Sequence, residues 1–293
     1  MANWDLRPLG LGEILDRTFS LYRQNFLLFM GITAVPHLLI LAMNLYQTMT
    51  GPVVPLFPGR HPVGQVHAPA PNPFAGLNVG GLIFGTLVGV LVYFFTYILT
   101  QGATVSAVSE LYLGRTATIG GSLRRVGGHF FNLCVVTFLS WVGIGIALLF
   151  LVIPGIYVGC RLMVCVPAAF LEDLGPSALE RSVRLTEGSA GRAFVIYILY
   201  IAVSYAASSL FAFPFIFMVA FLSKDPGIMR TWMAIMQVGG FIAGVLVGPV
   251  LTIATTVFYY DLRVRKEAFD LQLMMHPSGV IPSGTPGVPT MLS

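Results

Sequence analysis

Between Trp232 and Asp261 the chain carries no Asp, Glu, Lys or Arg. At about 1.5 Å rise per residue, roughly 20 helical residues cross a 30 Å hydrocarbon core, so this run is long enough to span a bilayer with tilt. Gly240, Gly244 and Gly248 fall four apart and form a glycine-zipper stripe that lets a partner backbone approach closely. Pro249 follows at once and predicts a bend. Phe258-Tyr259-Tyr260 then reads as an aromatic belt, and the basic cluster Arg263, Arg265 and Lys266 as a cytoplasmic exit. The helix is expected to continue to Leu273. The i,i+4 pairs Asp261–Arg265, Arg263–Glu267 and Lys266–Asp270 each add a few tenths of a kcal/mol. Phe269, Leu271 and Leu273 are expected to rest on lipid or on the rest of the protein.

The same pattern recurs along the chain. Apolar runs at Phe26–Tyr46, Val79–Gln101, Phe130–Val152, Gly155–Leu171 and Ala193–Leu222 make six spans in all. The second is expected to continue as helix to about Leu113 and end near Gly114. Its Gly81, Gly85 and Gly89 repeat the four-residue glycine spacing, which predicts that spans two and six pack together. Ile153-Pro154-Gly155 predicts a tight turn between spans three and four. Only 10% of residues are charged and 56% are hydrophobic, against about a quarter charged in soluble domains. The fold class is therefore an all-α integral membrane protein. Residues 1–275 form one six-span domain, and the Pro/Gly/Ser-rich, uncharged 276–293 form a disordered tail. The Pro-rich stretch Gln47–Asn78 is a loop.

Two segments have the amphipathic period without the length to span. Leu11–Gln24 places Leu11, Ile14, Leu15, Thr18 and Tyr22 on one face; Gly175–Gly188 places Ala178, Leu179, Ser182, Val183 and Thr186 on one face. Both are expected to lie in the membrane interface. Leu15-Asp16-Arg17-Thr18-x-x-Leu21 and Leu179-Glu180-Arg181-Ser182-x-x-Leu185 share one pattern, and Gly121–Arg125 is a degenerate third copy. The pattern predicts three hairpin repeats, each an interfacial helix and two spans.

Twelve of the sixteen Lys/Arg residues fall on one side: Arg7, Arg17, Arg23, Arg115, Arg124, Arg125, Arg181, Arg184, Arg192, Arg263, Arg265 and Lys266. Arg60, Lys224 and Arg230 fall on the other, which places both termini in the cytoplasm. The net charge of +4 sits beside spans, where orientation and anionic headgroups account for it, so no nucleic-acid partner is expected.

Arg161 is the one charged residue deep in a span, with no intramembrane carboxylate for a partner. It can snorkel, bond freed carbonyls or hold a lipid phosphate. His37, beside Pro36, is expected to bond a backbone carbonyl freed by the proline. Cys134, Cys160 and Cys165 have no metal spacing and read as small buried residues. Ser204, Ser208 and Ser209 read as interhelical hydrogen-bonders. No catalytic elbow, P-loop or zinc-hydrolase motif appears, and no metal, cofactor or catalytic residue is expected.

Three stretches together carry a family likeness: Arg7–Phe19 with Tyr22-Arg23, Ala178–Ser182 with Leu185–Gly188, and Tyr259–Glu267 with Phe269-Asp270. They resemble the bacterial glycerophosphoryl diester phosphodiesterase membrane-domain family. The resemblance covers roughly residues 7–273. It implies a multi-pass domain of the inner membrane that, in some relatives, anchors a catalytic barrel. This chain has no room for that barrel, and Gly59-Arg60-His61 is not its His-Arg-Gly order. The expected function is a non-catalytic membrane domain. Arg17, Arg181, Arg263 and Arg161 are the candidates for binding anionic headgroups, and a membrane partner or second copy is an expected associate. The alternative is a transporter or permease for a small molecule or lipid, for which a wide polar cavity would speak.

Overall fold

A computed structural model describes residues 8–50, 79–112, 114–221 and 226–267. The regular elements among the described residues are all helices, without strands: α1 (Leu11–Gln24), α2 (Phe26–Thr50), α3 (Val79–Tyr112), α4 (Ile119–Phe150), α5 (Val152–Arg161), α6 (Cys165–Leu171), α7 (Ser177–Leu185), α8 (Ala190–Phe221) and α9 (Pro226–Glu267). Six helical stretches are long and apolar enough to cross a membrane, with α5 and α6 together making the fourth. The chain is a multi-pass helical membrane protein. Arg7, Arg60, Lys224, Phe269, Asp270, Leu271 and Leu273, with the stretches 51–78 and 276–293 expected to be a loop and a disordered tail, lie outside the described residues.

The helix α9 is the axis. It touches α1, α2, α3, α6, α7 and α8. The outer helices turn large apolar side chains outward: Leu27, Phe131, Leu149 and Phe213 are exposed. That is the arrangement of a protein dissolved in hydrocarbon, where outward Leu and Phe cost nothing and tight packing holds the centre.

Several local expectations change at this level. Phe258, Tyr259 and Tyr260 do not form a belt; each is 0–1% exposed. They point into the bundle because α1, α3 and α6 cover that end of α9. Spans two and six do pack together, α3 against α9, but not through their glycine stripes. Gly89 and Gly248 both face α2, where an added Cβ would touch Met43 and Thr33, and Gly85, Gly240 and Gly244 face open space. The turn between spans three and four is Leu151 alone, in extended conformation at φ −165°. Pro154 lies in the first turn of α5, where its missing N–H would have had no helical acceptor. The helix α4 begins at Ile119, so Arg124 and Arg125 are helical, and Arg125 pairs with Glu110. Gln47–Thr50 are helical too. Ser204, Ser208 and Ser209 make no interhelical bond among the described residues; Ser209 donates to Ala206 in its own helix.

The His37 expectation changes as well: its Nδ1 lies 2.9 Å from the Thr33 carbonyl, one turn back from His37, and not from the Ile32 carbonyl that Pro36 leaves free. Other local expectations hold. Gly114 ends α3 at φ +74°, with Arg115 N–H on the Glu110 carbonyl and Gly114 N–H on Leu111. This double closure is a Schellman motif. Gly114→Ala should lower thermal stability by about 1–2 kcal/mol, since a Cβ opposes that backbone conformation; an unchanged melting curve in detergent would contradict it. The repeat pattern has a structural counterpart: Ile14, Thr18 and Leu21 of α1 are buried, as are Ala178, Ser182 and Leu185 at the matching places of α7. The third copy lies inside α4 rather than on a separate helix.

Candidate functional site

The start of α1 with Arg17, the helix α7 and the end of α9 gather at one end of the bundle, here called the basic end, while the last turn of α1 lies farther along α9, where Tyr22 donates to the Leu246 carbonyl. Two buried networks are built there.

The first joins α6, α7 and α9. Glu172 follows the last residue of α6 and its side chain is 5% exposed. Arg181, 6% exposed, donates to it from Nε at 2.8 Å and from Nη2 at 2.9 Å, a two-toothed grip. The same Nη2 reaches Glu267 Oε2 at 2.9 Å. Tyr259 donates its hydroxyl to Glu172 at 2.6 Å. Arg263, fully buried, donates from Nε to Glu267 at 3.1 Å and lies 3.8 Å from Glu172. Two cations and two carboxylates thus close on one another with no net charge. Burial works against the Arg181 charge, and the hydrogen bonds to Glu267 and Glu172 outweigh it, so its pKa lies above the ordinary arginine value.

The second network holds the N-terminal segment. Asp261 on α9 has a fully buried side chain. It accepts from the Leu9 N–H at 2.6 Å, from Arg192 Nη1 at 2.9 Å and from Arg265 Nε at 3.0 Å. The Leu9 carbonyl accepts from Arg192 at 2.7 Å and from Arg265 at 2.6 Å. Both polar groups of one peptide residue are therefore clamped by three side chains. Arg192 stands near the start of α8, where the helix dipole disfavours a cation. The Asp261 carboxylate overrides that preference.

Of the four candidate headgroup residues, two are consumed by these contacts. Arg181 and Arg263 are spent on Glu172 and Glu267. Arg17 donates to the Tyr112 hydroxyl at 2.8 Å, and Tyr112 stacks on Tyr260 with centroids 4.9 Å apart. Arg161 lies 5.8 Å from the Tyr157 ring centre and is half-buried. Its backbone matters more than its charge. The fourth span is interrupted over residues 162–164, and Cys165 N–H bonds Leu162 instead of the Arg161 carbonyl. That freed carbonyl accepts hydroxyls from Ser182 at 2.8 Å and Thr186 at 3.0 Å. Replacing both hydroxyls, as Ser182→Ala with Thr186→Val, leaves a buried carbonyl unpaired and should cost about 1–3 kcal/mol, read as a lower melting temperature in detergent.

The expected partner of Lys266, Asp270, lies outside the described residues. Lys266 donates to the carbonyls of Arg184 and Glu187 at 2.9 and 3.0 Å, capping the C-terminal end of α7. Glu172 and Asp261 were the residues hardest to find by sequence. One sits at the mouth of a span and the other in an ordinary i,i+4 pattern; only the cation surplus around each hinted that a carboxylate would be enclosed.

No protein-family model, curated protein or solved structure matches the chain. The contacts themselves must carry the functional reading. Stretches 7–23, 178–188 and 259–270 supply most of both networks, Leu9 from the first, Arg181 from the second, and Tyr259, Asp261, Arg263, Arg265 and Glu267 from the third, while Glu172 and Arg192 come from outside them. They are separated by up to 256 residues in sequence and meet at one end of the bundle.

Proposed function

We propose that this is a non-catalytic membrane domain that holds anionic lipid headgroups, and through them or beside them a membrane partner, at its basic end. The reading includes a bacterial inner membrane, both termini in the cytoplasm, and kinship with the glycerophosphoryl diester phosphodiesterase membrane-domain family. One observation carries it: the inner cations are neutralised by the protein's own carboxylates, while Arg115, Arg124, Arg184 and Lys266 stay exposed. A neutral lock at the centre holds a ring of outward charge in place. Each such charge near an anionic surface is worth about 1 kcal/mol. The buried Arg181 and Arg263 then belong to the lock, and Arg17 and Arg161 remain at its margin.

Native mass spectrometry from lipid tests this. Wild-type protein should retain phosphatidylglycerol or cardiolipin, and Arg115→Gln/Arg124→Gln/Arg184→Gln should lose most of it with an unchanged melting temperature. Retention by the triple variant would reject the headgroup ring. Arg161→Leu, by contrast, should leave the retained lipid unchanged; its loss would return Arg161 to the site. Turnover of a glycerophosphodiester by purified protein would reject the non-catalytic reading. An externally active reporter fused at Gly188 should be silent, and activity there would invert the topology. The transporter reading rests on a different observation, the interruption of the fourth span.

A further inference from the structure

Beside that interruption lies a cavity of about 80 Å³, walled by α3, α4, α6, α8 and α9 and by the loosened residues Leu162 and Met163. It is unlike the larger groove of about 480 Å³ between α2, α8 and α9, whose lining is apolar except for Thr231. The small cavity carries Tyr97, Gln101, Thr137, Trp141 and Tyr197, and no acid or base. Gln101, also in the wall, accepts at Oε1 from Thr252 at 2.7 Å. Ser140 and Thr255 also line it, with their hydroxyls bonded to the carbonyls of Val136 and Thr252.

We propose that this cavity is a binding site for a small, uncharged solute bearing several hydroxyl groups, of the polyol class. Hydroxyl, amide and indole groups facing one space inside an apolar bundle are costly unless something returns their hydrogen bonds. A charged occupant would find no counter-charge in the lining, so it is excluded. At about 30 Å³ per water, the space equals two or three waters, and a three-carbon polyol fills it while replacing each water oxygen with a hydroxyl. The interrupted helix provides the opening. Irregular backbone at membrane depth is tolerated where it lines a cavity, and discontinuous helices are where membrane proteins place small-solute sites. The site is separate from the basic end, and stands or falls independently of the headgroup reading.

Cys165 lies in the wall, with Sγ 3.2 Å from Ser140 Oγ, and serves as the reporter. The full chain in lipid nanodiscs would carry Cys134→Ser and Cys160→Ser, or Cys160→Ala if serine unfolds it, and be treated with methyl methanethiosulfonate. Glycerol at about twice its dissociation constant should slow modification about threefold; sucrose at equal osmolality, too large for the space, should not. Thr137→Val with Tyr197→Phe keeps the shape and removes two hydroxyls, so glycerol protection should vanish while the unprotected rate stays the same. A rate indifferent to glycerol means that the cavity holds water alone and overturns the proposal. So does equal protection by sucrose, or a Cys165 that the reagent never reaches.

Discussion

Asp261→Asn should lower the stability of the protein by about 3–5 kcal/mol, the range for breaking a buried ion pair from one side. The carboxylate is fully buried and holds two guanidinium groups and a peptide N–H. Asparagine keeps the shape but removes the charge, and it turns a donor toward groups that are themselves donors. Arg192 and Arg265 would then share the Leu9 carbonyl with no anion beside them. The effect should read as a large drop in the melting temperature in detergent, together with early proteolysis of the segment before α1. Arg265→Gln is the control. That side chain is 38% exposed and can reach water, so its loss should cost far less. Equal losses for the two variants would mean that Asp261 is not the centre of the clamp.

The second large effect is expected at Glu172. Glu172→Gln removes the anion that Arg181 grips twice and Tyr259 bonds once, and takes one of two nearby carboxylates from Arg263. The cost should again be about 3–5 kcal/mol. Arg181→Met should cost a similar amount by itself. The double variant should cost clearly less than the sum of the two, with a coupling energy of about 2 kcal/mol, because each single change strands a charge that the other removes. The same cycle separates lock from ligand site. In a lock, Glu172→Gln destabilises and gains no specific lipid. In a headgroup site, freeing Arg181 should raise bound anionic lipid. Additive costs, or a stable Glu172→Gln protein with more lipid, would remove the lock.

Local chemistry explains why some features could be read directly. Gly114 and Gly188 both adopt positive φ where the helices were expected to end, at +74° and +73°. The pairs Asp261–Arg265 and Arg263–Glu267 form as their spacing required, since residues four apart on a helix are neighbours whatever surrounds them. Their strength could not be read, because it depends on burial. A pair assigned a few tenths of a kcal/mol on an exposed helix became part of an enclosed network once α1 and the Leu9 segment covered it. Phe258, Tyr259 and Tyr260 failed as a belt for the same reason: an aromatic run before a basic cluster looks identical whether it meets lipid or another helix. The candidate headgroup residues divided likewise. Arg181 and Arg23 are both arginines on short amphipathic helices, and only the position of Glu172 separates a locked cation from an exposed one.

The amino-acid order alone determined that this chain is helical, that six stretches can cross a membrane, and where several helices stop. Those properties follow from runs of apolar residues, from i,i+4 neighbours and from backbone freedom at glycine, all of which act within a few residues. Tertiary structure alone decided which cations are neutralised, which tyrosines are inside, that the fourth span breaks beside a polar cavity, and that the glycine stripes do not meet. Each of these depends on groups brought together from distant parts of the chain, up to 256 residues apart at the basic end. Charge and hydrogen bonding act over a few ångströms, and sequence distance does not report that separation.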